Sequence, residues 1–150
     1  MTEVYGIRFE DAVSDPNFTA LLDEYAEESA ISGMPAPNCQ TEMYRTLEGL
    51  GVFHVLASFK DDEMTGFLSL MVSVLPHYGV PVATTESFFV AKAHRKGGAG
   101  LRLLRGGERV AKSLGAVGLL VSTPFGGKLS KIMPRVGYRE SNRVFFRSLQ

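Results

Sequence analysis

Three β-rich segments follow one another too closely for a helix to lie between them: Val52–Phe59, Gly66–Leu75 and Ala83–Ala91. Parallel neighbours need a crossover of about a dozen residues or more, so these segments must run antiparallel as a meander. Lys60-Asp61-Asp62-Glu63 supplies the polar turn of the first hairpin, and a loop from Pro76 to Pro81 around His77, Tyr78 and Gly79 makes the second connection. The texture then changes abruptly. HRKGGAGLRLL (His94–Leu104) reads as a basic, glycine-rich turn entering a helix that runs to about Leu114 and stops at Gly115. Val117–Ser122 is a short apolar run of the kind buried on both faces of a sheet. A helix over Lys128–Val136, closed by Gly137, and a last strand at Val144–Leu149 complete the chain.

Upstream of the meander, Val4–Phe9 alternates weakly as a strand. Ser14-Asp15-Pro16 predicts a capped helix start, and Phe18, Leu21, Leu22, Tyr25 and Ala26 follow at helical spacing. Gly33, Pro35 and Pro37 form a loop. Thr41 is then expected to cap a second helix carrying Met43, Tyr44, Leu47 and Leu50, closed by Gly49 and Gly51. The order is β-α-α-β-β-β-α-β-α-β, an α/β (mixed α+β) chain in which an antiparallel meander feeds one right-handed β-α-β crossover.

A length of 150 residues, with no repeat, linker or low-complexity tract, predicts a single domain over 1–150. Hydrophobic residues are 45% and charged residues 21%, which excludes disorder and fibre. The strongest apolar stretch, Phe67–Leu75, is interrupted by Ser69 and Ser73 and falls far short of the roughly 20 residues of a membrane helix. The acidic start MTEVYGIRFED lacks the apolar core of a secretory signal, so the expectation is a cytoplasmic protein without membrane partners. Cys39 stands alone, and no metal-ligand spacing occurs. Zero net charge conceals a division. Residues 1–63 carry thirteen acids against three bases, net −10, and residues 64–150 carry the opposite balance, net +10. Either the basic half meets something anionic or the two halves face and neutralise each other.

Gly97, Gly98 and Gly100 sit where a strand gives way to a helix, flanked by Arg95 and Lys96. Backbone N–H groups of a first helical turn point outward, the helix dipole adds about half a positive charge, and glycines let an anion approach closely. The turn therefore predicts phosphate binding. It is not a dinucleotide fingerprint, because Leu103 stands where the third glycine is required, nor a P-loop, because Gly127-Lys128 is followed by Leu129. The pattern Arg95-Lys96-Gly97-Gly98-Ala99-Gly100, preceded by a strand ending in Phe89-Val90, resembles the GNAT superfamily of N-acetyltransferases. The likeness in element order covers nearly the whole chain. It implies a mixed, mostly antiparallel sheet of six to seven strands flanked by about four helices, splayed between its fourth and fifth strands. It further implies acetyl-CoA as co-substrate with no metal. The pyrophosphate would be wrapped by the amides of Arg95, Lys96, Gly97, Gly98, Ala99 and Gly100, and the pantetheine arm held along Phe89 and Val90.

Acetyl transfer to an amine needs an uncharged amine, a stabilised oxyanion and departure of a thiolate. A carboxylate whose pKa is raised by partial burial can take the amine's proton, directly or through water. Glu86 is the only acid between Glu63 and Glu108, and many family members place a glutamate at this position in the fourth strand. Strict alternation puts Thr84, Glu86 and Phe88 on one face and Thr85, Ser87 and Phe89 on the other. The resemblance makes the Val90 N–H the group that polarises the thioester carbonyl. Where the family often has a tyrosine acid this chain has Met133, and Gly126 stands near its usual asparagine. Tyr138, Ser122 and Thr123 are the available hydroxyls, and a thiol with a pKa near 8.5 can leave without a dedicated acid.

The expected function is acetyl-CoA-dependent N-acetylation of a small-molecule or peptide amine by direct attack in a ternary complex. Its acceptor pocket would be built from Ser29–Gln40 and Pro76–Pro81, and homodimers are frequent in the family. The alternative is a CoA-binding or catalytically weak module that uses the basic C-terminal half to hold an acidic protein or nucleic acid. Arg102, Arg105, Arg109 and Lys112 recur at helical spacing there, and Lys128 and Lys131 border the expected adenine end. The absence of tryptophan and of an interleaved basic and aromatic strand argues against nucleic acid. Gly106-Gly107 inside a helix predicts close helix–sheet packing, and His54 a structural role.

Overall fold

A computed structural model describes all 150 residues. Strand β1 (Glu3–Ile7) leads into helices α1 (Phe9–Ser14), α2 (Phe18–Ser29) and α3 (Thr41–Gly49). The meander follows as β2 (Phe53–Lys60), β3 (Glu63–Leu75) and β4 (Val80–Val90). A 3-10 turn, Lys92–Gly97, then opens helix α4 (Ala99–Ser113), which leads to β5 (Leu119–Leu120), α5 (Lys128–Ile132) and a closing 3-10 turn, Met133–Val136. One sheet runs β1-β2-β3-β4-β5, antiparallel except for the parallel β4–β5 pair across the α4 crossover.

Alternation along the strands divides the core between the two faces. Phe53, Val55, Ala57, Phe67 and Phe89 meet Phe9, Ala12 and Leu21 from α1 and α2. Leu56, Leu68, Leu70 and Val90 meet Ala99 and Leu103 from α4. The paired glycines set that second contact. A Cβ at Gly106 would stand 2.7 Å from Leu56 Cδ2, and one at Gly107 3.0 Å from Leu68 Cδ2. Helix α4 thus lies closer to the sheet than alanine would allow, as Gly106-Gly107 predicts. The β2–β3 hairpin turns through Asp61 and Asp62, both left-handed at φ 53° and 62°, a geometry in which Asp is among the few tolerated non-glycine residues.

Several expectations are corrected. The sheet has five strands rather than six or seven, because Val144–Leu149 pairs with nothing, and Val144 and Phe145 are each 89% exposed. Alternating apolar residues permit a strand but do not supply a partner for it. With no strand outside it, β5 is an edge of two residues, and Leu120 is exposed instead of buried on both faces. Helix α1 adds a turn where the first strand was expected to reach Phe9, giving five α-helices instead of about four. Its first N–H, on Phe9, is taken by the Glu48 carboxylate at 3.0 and 3.2 Å. Neither expected cap acts as one: α2 is entered through Asn17 and α3 through Gln40, both without a side-chain cap. Asp15 instead accepts the Asn17 N–H at 2.8 Å.

Candidate active site

The pairing of β3 with β4 slips by one residue at Glu86. Ser69 lies opposite Ser87 and Leu70 opposite Thr85, which leaves Glu86 as the extra residue of a bulge in β4. The bulge overturns the expected alternation. Glu86 leaves the face of Phe88, which packs toward α4, and joins the face of Phe89, beneath α2 and α3. There the exposed carboxylate accepts the Tyr44 hydroxyl at 2.6 Å on Oε1 and the Ser69 hydroxyl at 2.8 Å on Oε2. Since Ser69 gives its only proton to Glu86, the 2.6 Å contact between the Ser69 and Ser87 hydroxyls must be donated by Ser87. The Ser87 N–H donates to the same oxygen at 3.1 Å.

Tyr44, Tyr25 and Cys39 all feel this carboxylate. Burial, then the hydrogen bond to Glu86 and its charge, hold the Tyr44 hydroxyl far above its usual range. Burial first and the Glu86 charge second also raise Tyr25 and Cys39. Each therefore stays protonated at neutral pH, and Tyr44 remains a donor. Neither tyrosine nor Ser69 stood out in the sequence: Tyr25 and Tyr44 read as members of apolar helical stripes, and Ser69 as an interruption of an apolar run. A buried tyrosine does need a partner for its hydroxyl, and that was the one available signal.

From Glu86 to Val90, four residues and about 13 Å along the strand, β4 has lost its neighbour on the side away from β3. Strand β5 pairs only with Ala83 and Thr84, and its continuation touches β4 once more, where the Ser122 N–H meets Thr85 Oγ1 at 3.1 Å. From Glu86 to Val90 that side of β4 carries no strand, the splay that the sequence resemblance implied. Ala91 donates to the Thr65 carbonyl at 2.9 Å, so Gly66 and Val90 form a non-hydrogen-bonded pair. The N–H and C=O of Val90 therefore turn toward the open side.

Helix α4 begins at the head of that opening. Gly98 is left-handed at φ 77°, and no side chain caps the helix. Within the chain, the N–H groups of Gly98, Ala99, Gly100 and Leu101 have no acceptor; the first bond of this turn is Arg102 N–H to the Gly98 carbonyl at 3.1 Å. These converging donors at the positive end of a helix are suited to an anion. Lys96, Gly97 and Gly98 are exposed, while the Ala99 methyl is buried against the sheet.

The Arg95 guanidinium points elsewhere. Its Nε donates to the Val90 carbonyl at 2.8 Å, its Nη2 to Glu28 at 2.7 Å, and it lies 5.4 Å from the Phe89 ring centre. Glu24 accepts the Lys92 N–H at 3.0 Å, and Lys92 Nζ approaches Glu28 at 3.7 Å. Both ion pairs that cross between the acidic and basic halves thus converge on Glu28, and the remaining ion pairs are local to one half.

Of the alternative hydroxyls, Ser122 and Thr123 follow β5 at the Thr85 end of the opening, and Tyr138 is engaged elsewhere. Met133 is buried at 7% exposure, and the Tyr138 hydroxyl is donated to Glu108 at 2.8 Å, tying the last 3-10 turn to α4. Along α4, Arg102 is held by the Thr2 carbonyl at 2.6 Å, and Arg105 by Glu108 and the Val136 carbonyl. His54 is structural, bonded to the Gly51 carbonyl at 2.9 Å. No group of three or more His, Cys, Asp or Glu is placed to hold a metal, and no helix is long and apolar enough to cross a membrane.

A mixed sheet splayed beside its fourth strand, with a helix start aimed at the opening and a carboxylate on the strand between, is the frame of an acetyltransferase. The chain belongs to the acetyltransferase (GNAT) family, whose pattern matches residues 16–124. A comparison with curated proteins finds no match. Among solved structures, the chain is similar to a ribosomal-protein-alanine N-acetyltransferase from Brucella melitensis biovar Abortus 2308, with a TM-score of 0.75, 15% identity and all of both chains covered. It is also similar to an aminoglycoside acetyltransferase from an uncultured soil metagenomic sample, solved in complex with sisomicin; the TM-score is 0.74 at 16% identity, over 99% of this chain and 97% of that one. A glucosamine-6-phosphate N-acetyltransferase from Arabidopsis thaliana gives 0.74 at 11% identity, over 100% and 99%.

Proposed function

We propose that the chain, acting as one domain in the cytoplasm, transfers an acetyl group from acetyl-CoA to a primary amine of a small molecule or peptide within a ternary complex. The observation that carries this reading is the set of unpaired N–H groups from Gly98 to Leu101 at the open end of β4. The residues present fit the co-substrate. Gly98 leaves space on every side of the position a Cβ would take, the four free N–H groups are placed to receive an anion, and the Val90 N–H on the open edge is free for an amide-bearing arm.

When bound, acetyl-CoA supplies an activated acetyl thioester. The free amides of Gly98, Ala99 and Gly100, joined by that of Leu101, would hold its pyrophosphate at the head of the turn formed by Arg95, Lys96 and Gly97, and Phe89 and Val90 would line its arm. The Val90 N–H, turned to the open side, donates to the carbonyl oxygen on which charge develops. Glu86 takes the proton from the acceptor ammonium, which arrives from the side of α2 and α3. Met133 and Tyr138 give the departing sulfur no acid, and a thiolate can leave unassisted.

Thermal unfolding with acetyl-CoA tests the reading. A ligand at a hundred times its dissociation constant stabilises by about 2.7 kcal/mol, or roughly 5–10 °C for a chain of this size. A shift of that order, followed by thiol release with an amine panel, supports the assignment; no shift at millimolar acetyl-CoA overturns it.

A further inference from the structure

An exposed glutamate on a strand is a poor base unless something fixes it. Its long side chain is free to rotate about several bonds, and proton transfer requires heavy atoms held within about 3 Å. Glu86 is exposed, yet both of its oxygens are claimed by neutral hydroxyls from two other elements, Tyr44 of α3 and Ser69 of β3. We propose that Tyr44 is a positioning residue for Glu86: its hydroxyl pins Oε1 while Ser69 pins Oε2, which fixes the plane of the carboxylate toward the acceptor amine. The inference rests on the acetyl-transfer reading and deepens it.

The placement of Tyr44 suits that role better than a role in packing alone. Its ring stands 5.1 Å from Phe9 and 4.9 Å from Phe53 between ring centres, so the aromatic body is held at a fixed depth and the hydroxyl has little freedom. Helix α3 contributes no fully buried residue to the core, and it is separately anchored through Glu48 and the Phe9 N–H. The hydroxyl bond to Glu86 is therefore not needed to keep α3 on the sheet. On the other oxygen, the Ser87 hydroxyl and N–H both donate to Ser69, which orients its single proton toward Glu86. Donation from Ser87 to Ser69 and on to Glu86, and from the far side by Tyr44, leaves a carboxylate with its orientation set and part of its acceptor capacity still free. Tyr44 also follows by four residues the loop that ends at Gln40, so the segment expected to line the acceptor pocket is linked to the base through one side chain.

The test is a double-mutant cycle on the full chain with Tyr44→Phe, Glu86→Gln and the pair. Turnover is followed by thiol release from acetyl-CoA with three probe amines: a diamine, an aminoglycoside and a tetrapeptide with a free α-amino group. Phenylalanine keeps the ring among Phe9 and Phe53 and removes only the donor. The expected result is a fall in kcat of roughly tenfold or more for Tyr44→Phe, within the hundredfold that a misplaced group can cost, with KM for acetyl-CoA unchanged. In the Glu86→Gln background the same substitution is expected to change kcat less than about twofold, because there is no base left to position. Equal losses in both backgrounds would mean that Tyr44 acts on the fold and would overturn the inference. A second readout needs no turnover: tyrosinate absorbance, taken as the difference from Tyr44→Phe, should show Tyr44 ionising at lower pH in Glu86→Gln than in the parent. An unchanged titration would show that the two groups do not meet in solution and would equally overturn it. These failures leave the thermal response to acetyl-CoA intact, whereas a chain that never responds to acetyl-CoA removes the transfer reading and this inference together.

Discussion

Glu28 and Arg95 meet at 2.7 Å, joining helix α2 to the glycine-rich loop across the two oppositely charged parts of the chain. The same guanidinium caps the Val90 carbonyl, so the position of α2 and the backbone of the open strand are mechanically coupled. The hydrogen bond from Arg95, more than the charges of Arg95 and Lys92, holds the Glu28 carboxyl below its ordinary value against an opposing effect of burial.

A pH dependence follows. The native pKa of Glu28 lies below the unfolded value of about 4.3, so its contribution to stability is present above pH ~4.3 and is lost as the pH falls through the native value. Both side chains are partly exposed, and water limits the pair to about 1 kcal/mol or less. Glu28→Gln should therefore lower the melting temperature by a few degrees at pH 7, with the gap closing as the pH falls below about 4. A gap that is constant from pH 7 to pH 3 would show that the ion pair is not its source.

Gly66 faces Val90 across the β3–β4 pair, and a Cβ there would stand 2.6 Å from the Phe89 carbonyl oxygen and 3.0 Å from Val90 Cα. Both are backbone atoms, so the strands themselves must part. Gly66→Ala is expected to cost about 2 kcal/mol or more in chemical denaturation and to weaken acetyl-CoA binding, because the open edge at Val90 moves with the strand. Gly79→Ala, at a turn with φ 66° and open space, should cost only the strain of a left-handed alanine, roughly 1–2 kcal/mol, and leave binding unchanged.

What could be read in advance was whatever local chemistry determines. The meander was legible because its segments are too close together for any crossover, and α2 and α3 because Leu21, Leu22, Tyr25 and Met43, Tyr44, Leu47 recur at helical spacing. The loop was legible because glycines at 97, 98 and 100 have few other uses. The bulge at Glu86 was not, since Thr85-Glu86-Ser87 reads as plain alternation, and an extra residue appears only when β4 is laid beside β3. The partnership of Tyr44 and Ser69 was hidden for the same reason: it depends on which face Glu86 occupies. The failure of Val144–Leu149 to pair is likewise a tertiary outcome.

Substitution at Gly98 separates the fold of the loop from its binding. The residue is left-handed and surrounded by open space, so Gly98→Ala carries backbone strain of roughly 1–2 kcal/mol but places nothing bulky at the N–H groups. Gly98→Glu adds a negative charge where the helix dipole and four N–H groups favour an anion. The expectation is a residual thermal response to acetyl-CoA in Gly98→Ala and none in Gly98→Glu. An undiminished response in Gly98→Glu would remove the loop from the binding site.

Glu86→Gln tests the chemistry at the other end of β4. Glutamine keeps the size of the side chain; its carbonyl oxygen can accept from Ser69 while its amide donates to the Tyr44 oxygen, so the bulge and the packing beneath α3 should survive with a melting temperature close to the parent's. What it lacks is the capacity to take a proton from an ammonium at neutral pH. A general base contributes about a hundredfold or more, so kcat should fall by about that factor while the thermal shift with acetyl-CoA, set some 13 Å along the strand, stays the same. The loss should also shrink as the pH approaches the pKa of the acceptor amine, where the uncharged amine is already abundant and needs no base. Equal turnover at pH 7, or a loss that does not diminish at high pH, would move the proton to another acceptor and leave Glu86 as the anionic partner of the substrate's charge.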